Sequence, residues 1–250
     1  IGITPVNDQP GIVGPSAASA YQEQAAAVTI GAGVSVSDLI DDTQMSGATV
    51  VISNNYVAGD VLAATVTGTN ITASFNAGTR TLTLSGVDSI ANYNTVLNSV
   101  TFASTSDAPT AGGATTRTIT WQATDNNAHS AGNGKLATAA VTSTINITAV
   151  SDAPAGADNT VSTTEDQSFT FAASDFGFSD PSDSPADTLS RVLITTVPVN
   201  GTLLLNGVTT VTAGSYITLA DLNSGKLTYV PPGDANGSGY ASFTFQVEDT

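Results

Sequence analysis

The sequence feature that most constrains the fold is an internal repeat. Residues 1–10 read IGITPVNDQP and match residues 145–154, which read INITAVSDAP. A second pair matches at a different offset, TWQATD at residues 120–125 and TFQVED at residues 244–249. Similar units in tandem indicate an array of domains along one chain. We predict the last strand and linker of a preceding repeat at residues 1–10, a first domain at 11–150 and a second at 151–250.

The local patterns predict strands with tight turns. Residues 118–124 (TITWQAT) and 242–247 (SFTFQV) alternate polar and apolar side chains, as strands with one buried face do,. Asn-Gly pairs, the strongest short hairpin signal, flank residues 202–205,. Two short helices are expected, one capped by Ser89 and one capped by Thr218,. The predicted fold is all-β, with two β-sandwiches in series and one short helix in each.

Composition excludes several functions. The chain has 5 basic and 21 acidic residues and a net charge of −16, which opposes binding to nucleic acid,. No apolar run reaches the roughly 20 residues that a membrane helix needs, so membrane insertion is not expected. The absence of cysteine and the single histidine leave little for thiol or imidazole catalysis,. Paired carboxylates can hydrolyse glycosides, but few aromatic residues line a sugar cleft here, so we predict no enzyme activity.

The acidic residues point to a cation instead. Asp175, Asp180, Asp183 and Asp187 lie in one turn-rich segment. Clustered carboxylates repel one another, and Ca²⁺ relieves that repulsion by binding 6–8 oxygens in flexible loops. For any single aspartate, a role in turns or in keeping the surface hydrated is the simpler interpretation. The set as a whole favours Ca²⁺.

Sandwich topology predicts where the carboxylates meet. Loops at one pole of the first domain carry Glu23 and Asp107, beside the linker residue Asp152. Loops at the facing pole of the second domain carry Asp180 and Asp183, together with Glu248 and Asp249 at the end of a strand. We expect these acids to converge at the junction. The outer poles are predicted to hold Asn7, Asp8, Asp41, Asp42 and Asp125 in the first domain, and Glu165, Asp166 and Asp234 in the second.

Several stretches resemble known repeats. The strand ending at Asp125, the segment TINITAVSDAP that ends at residue 154, and VNDQP at 6–10 resemble the closing strand and linker of cadherin repeats. The first unit is similar to cadherin-like repeats of large bacterial surface adhesins. The second is similar to a related repeat of the same adhesins, and also to chondroitin-sulfate-proteoglycan repeats. The stretches that carry these two similarities are GATVVIS at 47–53, TLTLSG at 81–86, ANY at 91–93, STSDAP at 104–109, TEDQ at 164–167, NGTL at 200–203 and LADLNSGKLTYV at 219–230.

The resemblance implies Greek-key cadherin/Ig-like sandwiches rigidified by Ca²⁺ in a secreted or cell-surface bacterial adhesin. It implies ligand roles for the linker residues Asp8 and Asp152, the post-strand acids Glu23 and Glu165, and the closing-strand residues Asp125 and Asp249. Ser151 stands where the family often has Asn. The implied partners are neighbouring repeats of the same chain, with a homophilic contact or a surface glycan or protein as the adhesive ligand.

Two alternatives stay open. The chain is alternatively a glycan- or protein-binding module, or an accessory domain of a large secreted hydrolase. Trp121 is expected in the core, and an exposed Trp121 would instead indicate sugar stacking. The second unit lacks an equivalent of residues 139–150, so we expect a bare sheet edge there, which residues 1–6 of a neighbouring molecule can fill.

Overall fold

The computed structural model describes residues 6–38, 43–127 and 134–250. The chain divides into two compact units, Ile1–Val150 (unit 1) and Ser151–Thr250 (unit 2). The sequence also placed the end of the first domain at residue 150. Each unit is built from strands with one α-helix in its described part.

Unit 1 is organised around one long sheet. Its strands are β1 (Gly11–Val13), β2 (Ser19–Gln22), β3 (Val28–Thr29), β4 (Ser35–Ser37), β5 (Gln44–Asn54), β6 (Asp60–Ala63), β7 (Thr72–Asn76), β8 (Thr81–Ser89), β9 (Thr101–Ser104), β10 (Thr116–Asp125) and β11 (Val141–Thr148). The long sheet has the order β2-β11-β10-β5-β8-β7, a second sheet has the order β3-β9-β6, and β1 pairs with β4. Pairing is antiparallel except between β11 and β2, which run parallel.

The alternation of β10 explains how this sheet forms a core. Ile119, Trp121 and Ala123 are fully buried. Successive side chains of a strand point to opposite faces, so these three residues share the inner face. Trp121 donates a hydrogen bond from Nε1 to Ser143 Oγ at 2.8 Å. The prediction that Trp121 lies in the core is confirmed, and the core of unit 1 joins side chains from both main sheets and the helix.

Helix α1 (Ile90–Asn98) begins where the sequence predicted. Ser89 is its N-cap and its side chain accepts a hydrogen bond from the backbone N–H of Asn92 at 3.2 Å. Tyr93, Val96 and Leu97 are buried against the core. Burial of this face holds a short helix that would be marginal alone.

Unit 2 has two smaller sheets. Its strands are β12 (Phe169–Thr170), β13 (Leu189–Ile194), β14 (Thr202–Leu205), β15 (Thr209–Thr210), β16 (Tyr216–Thr218), β17 (Leu227–Val230) and β18 (Phe245–Asp249). One sheet has the order β12-β17-β14-β15 and the other has the order β16-β13-β18. The described strands pair antiparallel throughout, and side chains from both sheets share one apolar core.

The turn and helix signals of unit 2 also correspond to the structure. Asn206 and Gly207 both have positive φ, 54° and 70°, in the turn between β14 and β15, as a tight hairpin requires,. Helix α2 (Leu219–Asn223) has Thr218 as its N-cap, and Gly225 follows it with φ of 64°. These signals are sufficient to predict the turn and the helix, because each depends only on residues a few positions away.

The all-β prediction is confirmed at the level of sheets and sparse helices, whereas the Greek-key cadherin/Ig-like topology stays a prediction. One strand begins later than predicted, at Phe245 and not at residue 242. Its regular pairing with β13 ends with Ile194 opposite Phe245, and beyond that pair the N–H groups of Thr195 and Thr196 both donate to the Thr244 carbonyl. Within the described residues, no helix is long and apolar enough to cross a membrane.

Candidate metal centre

Three aspartate side chains meet in unit 2. One carboxylate oxygen from each of Asp180, Asp187 and Asp249 lies within 4.8 Å of the other two. Asp180 is only 6% exposed. Among the described residues, Asp180 Oδ1 and Asp249 Oδ2 are buried without a hydrogen-bond partner. Buried carboxylate oxygens without partners are costly, and a divalent cation satisfies them, so the donor set fits a hard metal such as Ca²⁺.

Strand pairing and one loop bring these residues together. Asp249 lies at the end of β18, opposite Leu189 at the start of β13. Asp187 precedes Leu189 by two residues and therefore lies beside the same sheet end. Its backbone N–H donates to Asp180 Oδ2 at 2.8 Å, which closes the loop that carries Asp180. Two backbone hydrogen bonds of 2.8 Å between Ala155 and Ser179 hold the start of that loop.

Two linker residues bond to carboxylates at or beside this cluster. The backbone N–H of Asp152 donates to Asp183 Oδ2 at 3.0 Å, and Ser151 Oγ donates to Asp187 Oδ2 at 3.4 Å. The hydrogen bond from Asp152 lowers the pKa of Asp183. Desolvation and the negative charges of Asp180, Asp187 and Asp152 outweigh it, and the pKa of Asp183 is raised from its usual value,. This raised pKa reflects the desolvation of Asp183 together with the repulsion from the neighbouring carboxylates.

Unit 1 has a smaller candidate site at Asn7 and Asp125. Asp125 is fully buried at the end of β10, and its two carboxylate oxygens accept hydrogen bonds from Asn7 Nδ2 at 2.8 Å and from the Leu136 N–H at 2.9 Å. Asn7 Nδ2 also donates to the carbonyl of Gly134 at 2.8 Å. Asn7 Oδ1 is buried and has no hydrogen-bond partner among the described residues. The structure thus brings Asn7 and Asp125 together, as predicted.

The other predicted ligands of the first domain do not join Asn7 and Asp125 in the described part of the chain. Asp41 and Asp42 lie outside the described residues. Asp8 is exposed, and so is Asp107 in the segment between β9 and β10. Glu23 is 3% exposed, and its Oε2 accepts a hydrogen bond from the Val150 N–H at 2.8 Å within the same unit.

The three acids predicted at the outer pole of unit 2 are Glu165, Asp166 and Asp234, and the structure brings the last two together. Asp166 Oδ1 accepts a hydrogen bond from the Asp234 N–H at 3.3 Å. Glu165 is exposed in the turn before Asp166. The prediction that acids of both units share one ion at the junction stays a prediction.

Sequence reasoning made two errors at the cluster. It left Asp187 out of the acids expected to meet at the junction, although it placed Asp187 in the same acidic segment as Asp180. It also grouped Glu248 with Asp249, whereas adjacent strand residues face opposite sides of the sheet. Glu248 Oε2 instead accepts a hydrogen bond from Arg191 Nε at 2.6 Å in an exposed ion pair. Applying the alternation of β18 to its last two residues would have separated them.

Unit 2 also has an open groove of about 750 Å³ beside β18. Residues 159–165 form part of one wall and residues 235–243 form part of another. Ring contacts connect the phenylalanines of the lining, with centroids from 4.9 to 6.2 Å apart; these residues are Phe169, Phe171, Phe176, Phe243 and Phe245. Phe171 and Phe176 are buried, whereas Phe169, Phe243 and Phe245 are half-buried. Partly exposed aromatic rings in a concave surface are typical of a binding surface.

Comparisons with family models, with curated proteins and with solved structures found no match for this chain. Two features of unit 2 bear on its function, the aspartate cluster and the groove.

Proposed function

We propose that the chain is a Ca²⁺-stabilised segment of tandem repeats. The observation that carries this proposal is the convergence of Asp180, Asp187 and Asp249, with two buried oxygens that make no hydrogen bond among the described residues. The three ligands come from a loop, from the segment before β13 and from the end of β18. A cation bound there connects parts of the unit that are distant in sequence. It also offsets the repulsion that, together with desolvation, raises the pKa of Asp183,.

Flexible loops and a donor set of carboxylates favour Ca²⁺ over Mg²⁺, which requires stricter octahedral geometry. In this proposal the linker is stiffened together with the ion site, because the Asp152 N–H is bonded to Asp183 and the Ser151 hydroxyl to Asp187. A stiff linker keeps neighbouring repeats of the same chain extended. In unit 1, Asn7 Oδ1 supplies a neutral oxygen for a weaker site.

The wider assignment follows from the sequence resemblance. The chain is proposed to be part of a secreted or cell-surface bacterial adhesin, in which Greek-key cadherin/Ig-like sandwiches act as rigid extenders or adhesive modules. The chain is proposed to have no enzymatic activity. Its partners would be adjacent repeats and a homophilic, glycan or protein ligand. The excess of acidic residues supports this function because a cation then serves both the fold and the charge balance,.

The test is calcium titration by calorimetry, combined with thermal unfolding in Ca²⁺ and in chelator. We expect a heat of binding and a higher unfolding temperature with Ca²⁺. A ligand at 100 times its Kd stabilises the folded state by about 2.7 kcal/mol. Far-UV circular dichroism follows both units. The fluorescence of Trp121, the only tryptophan in the sequence, follows unit 1. The calcium-dependent shift should be larger in the transition that Trp121 does not report.

The variant D187N distinguishes a metal site from a structural carboxylate. It leaves the backbone N–H of residue 187 to bond Asp180 but removes one negative charge from the cluster. We expect D187N to unfold at a higher temperature than wild type in chelator and to lose most of the response to Ca²⁺. Asp158→Asn is the matched control, since Asp158 is exposed and outside the cluster. Loss of stability in both conditions, or no heat of binding in the wild type, would reject the calcium site.

The second candidate function is a glycan- or protein-binding module, and the groove of unit 2 is the observation that favours it. Ligand binding that persists in chelator, in the wild type and in D187N alike, would favour this function over a passive calcium-stiffened spacer. Trp121 takes no part in such binding because it is fully buried.

A further inference from the structure

Unit 1 contains the only parallel strand pair among the strands that the structure describes, β2 with β11. β11 ends at Thr148, two residues before the last residue of unit 1, and β2 is the strand that precedes the turn at Glu23. Because the two strands run parallel, the chain enters the pair at one end through β2 and leaves it at the other end through β11. Tension along the chain therefore pulls the two strands in opposite directions along their own axes.

The register of this pair makes its hydrogen bonds share that tension. Ser19 lies opposite Ile145 and Gln22 lies opposite Thr148. The Glu23 N–H continues the pairing with a bond of 2.9 Å to the Thr148 carbonyl. Bonds between parallel strands are evenly spaced along the pair. When the strands are pulled past each other, these bonds are loaded together, whereas strands peeled apart from one end lose their bonds one after another. Shear therefore requires the larger force.

Tyr21 fixes β2 to the core against such sliding. Its side chain is 1% exposed, and its hydroxyl donates to the Ser104 carbonyl at 2.9 Å. Its ring packs edge-on against Phe102, with the ring centroids 5.2 Å apart. Edge-on aromatic pairs add to the stabilisation that burial of the rings provides. Displacing β2 along its axis consequently extracts a buried aromatic side chain at the moment when the backbone bonds break.

β11 is held more firmly than β2. It pairs with β10 from Thr116 opposite Asn146 to Trp121 opposite Val141, in addition to its pairing with β2. Its inward side chains Ile145 and Ile147 are 1% and 6% exposed. Within the described residues, β2 has β11 as its only strand partner in this sheet. The interface between β2 and β11 is therefore the first one that tension has to break.

We propose that unit 1 has a mechanical function, in which β2 and β11 form a shear clamp that carries tension along the chain and protects the core of the unit. The use of this clamp in an array under tension rests on the proposed function as a segment of tandem repeats. The resistance itself is a property of unit 1, and it does not require the aspartate cluster of unit 2.

The test is single-molecule force spectroscopy of the whole chain, pulled in two directions through introduced cysteines. The sequence contains no cysteine, so the attachment points are unique. Ala17, Ala140 and Ala149 are exposed and lie outside the strands, before β2, before β11 and after β11. The variant A17C/A149C loads the clamp in shear, and A17C/A140C peels β2 from the end where it begins. The force of unfolding depends on the unfolding rate, which an equilibrium measurement does not report.

We expect A17C/A149C to unfold at a clearly higher force than A17C/A140C, with both variants measured in chelator. Equal forces in the two directions overturn the proposal, because the core is then what resists. A high force that requires Ca²⁺ also overturns it, since the resistance would come from an ion. A missing heat of calcium binding in the calorimetric titration rejects the calcium site and leaves the difference between the two directions unchanged, so the two proposals fail separately.

Two proline variants of A17C/A149C locate the resistance in the backbone bonds. Backbone groups of a strand point alternately to its two sides, and the Glu23 N–H faces β11, so the N–H of Ser19 also faces β11 and that of Ala20 faces away,. Proline removes the N–H at its position. Ser19→Pro should lower the force towards that of the peeling direction.

Ala20→Pro is the matched control, since it places proline in the same strand without removing a bond to β11. It should retain most of the force. Equal losses in the two proline variants overturn the clamp as the source of resistance. The fluorescence of the buried Trp121 verifies that both variants are folded before they are pulled.

Discussion

The strands β10 and β18 have similar sequences and different surroundings. TWQATD in β10 lies between two strand neighbours, and its inner side chains are fully buried. TFQVED contains the whole of β18, which has one strand neighbour among the described residues. Of its inner side chains, Phe245 is half-buried and Val247 is 9% exposed. The alternation of a strand therefore decides which face is apolar. Coverage of that face depends on a neighbour that the strand itself does not encode.

The largest expected difference between the units concerns a buried ion pair. Arg117 Nε lies 2.6 Å from Asp60 Oδ2, and both side chains are fully buried. Arg117→Ala leaves a buried carboxylate without its partner and should destabilise unit 1 by about 3–5 kcal/mol. Urea unfolding followed by Trp121 fluorescence measures this loss.

The comparison variant in unit 2 is Arg191→Ala, which removes an exposed pair with Glu248. This variant should lose no more than about 1 kcal/mol of stability. Urea unfolding monitored by circular dichroism measures the loss. Equal losses of stability for the two variants would contradict the difference in burial between the two ion pairs.

Core truncation on the equivalent strands should give the next largest difference. Ile119→Ala removes a fully buried side chain and should cost about 2–5 kcal/mol,. Phe243→Ala removes a larger side chain that is only half-buried, and should cost less than half of that. Denaturant unfolding of both variants gives the ratio. A cost for Phe243 equal to that for Ile119 would mean that the groove is closed in solution.

The helix caps should have smaller and more similar effects. Ser89→Ala and Thr218→Ala each remove a side chain that accepts a backbone N–H bond at a helix start, at a cost of about 1 kcal/mol,. Thermal unfolding measures both losses. Thr218→Ser is the control, since it keeps the hydroxyl and should retain most of the stability.

The smallest effects should be on the pH dependence of stability, which we expect to have opposite signs in the two units when chelator is present. The raised pKa of Asp183 means that folded unit 2 takes up a proton at a higher pH than the unfolded chain. Lowering the pH from neutral through that pKa should therefore stabilise unit 2, down to the ordinary aspartate pKa of about 4.

Unit 1 provides the contrast through Asp88. Backbone hydrogen bonds from Asn70 and Ser89 lower the pKa of Asp88. The stability that Asp88 contributes is present above the ordinary aspartate pKa and is lost as the pH falls through the lowered value. Unfolding temperatures between pH 7 and pH 3 check both signs. With Ca²⁺ present, acid should destabilise unit 2, because protons displace the ion. Parallel pH profiles for the two units in chelator would contradict the described charge environments.

Part of the aspartate cluster could be predicted from the sequence. The sequence placed Asp180, in a loop, and Asp249, at the end of a strand, in one cluster from the expected order of strands and loops in a sandwich. It left out Asp187, whose position depends on the pairing of β13 with β18. It misjudged Glu248, whose partner Arg191 lies across that same strand pair. Both errors occurred where the pairing of β13 with β18 decides which side chains meet.

The sequence alone determined the alternating strands, the capped helices at Ser89 and Thr218, the repeat that relates the two units and the large acidic excess. These depend on neighbours within a few residues or on composition. Only the tertiary structure decided which carboxylates converge with buried, unbonded oxygens, and which apolar side chains lie open in a groove. Both outcomes arise from strand pairing across long sequence separations, where a single neighbour gained or lost changes what is buried.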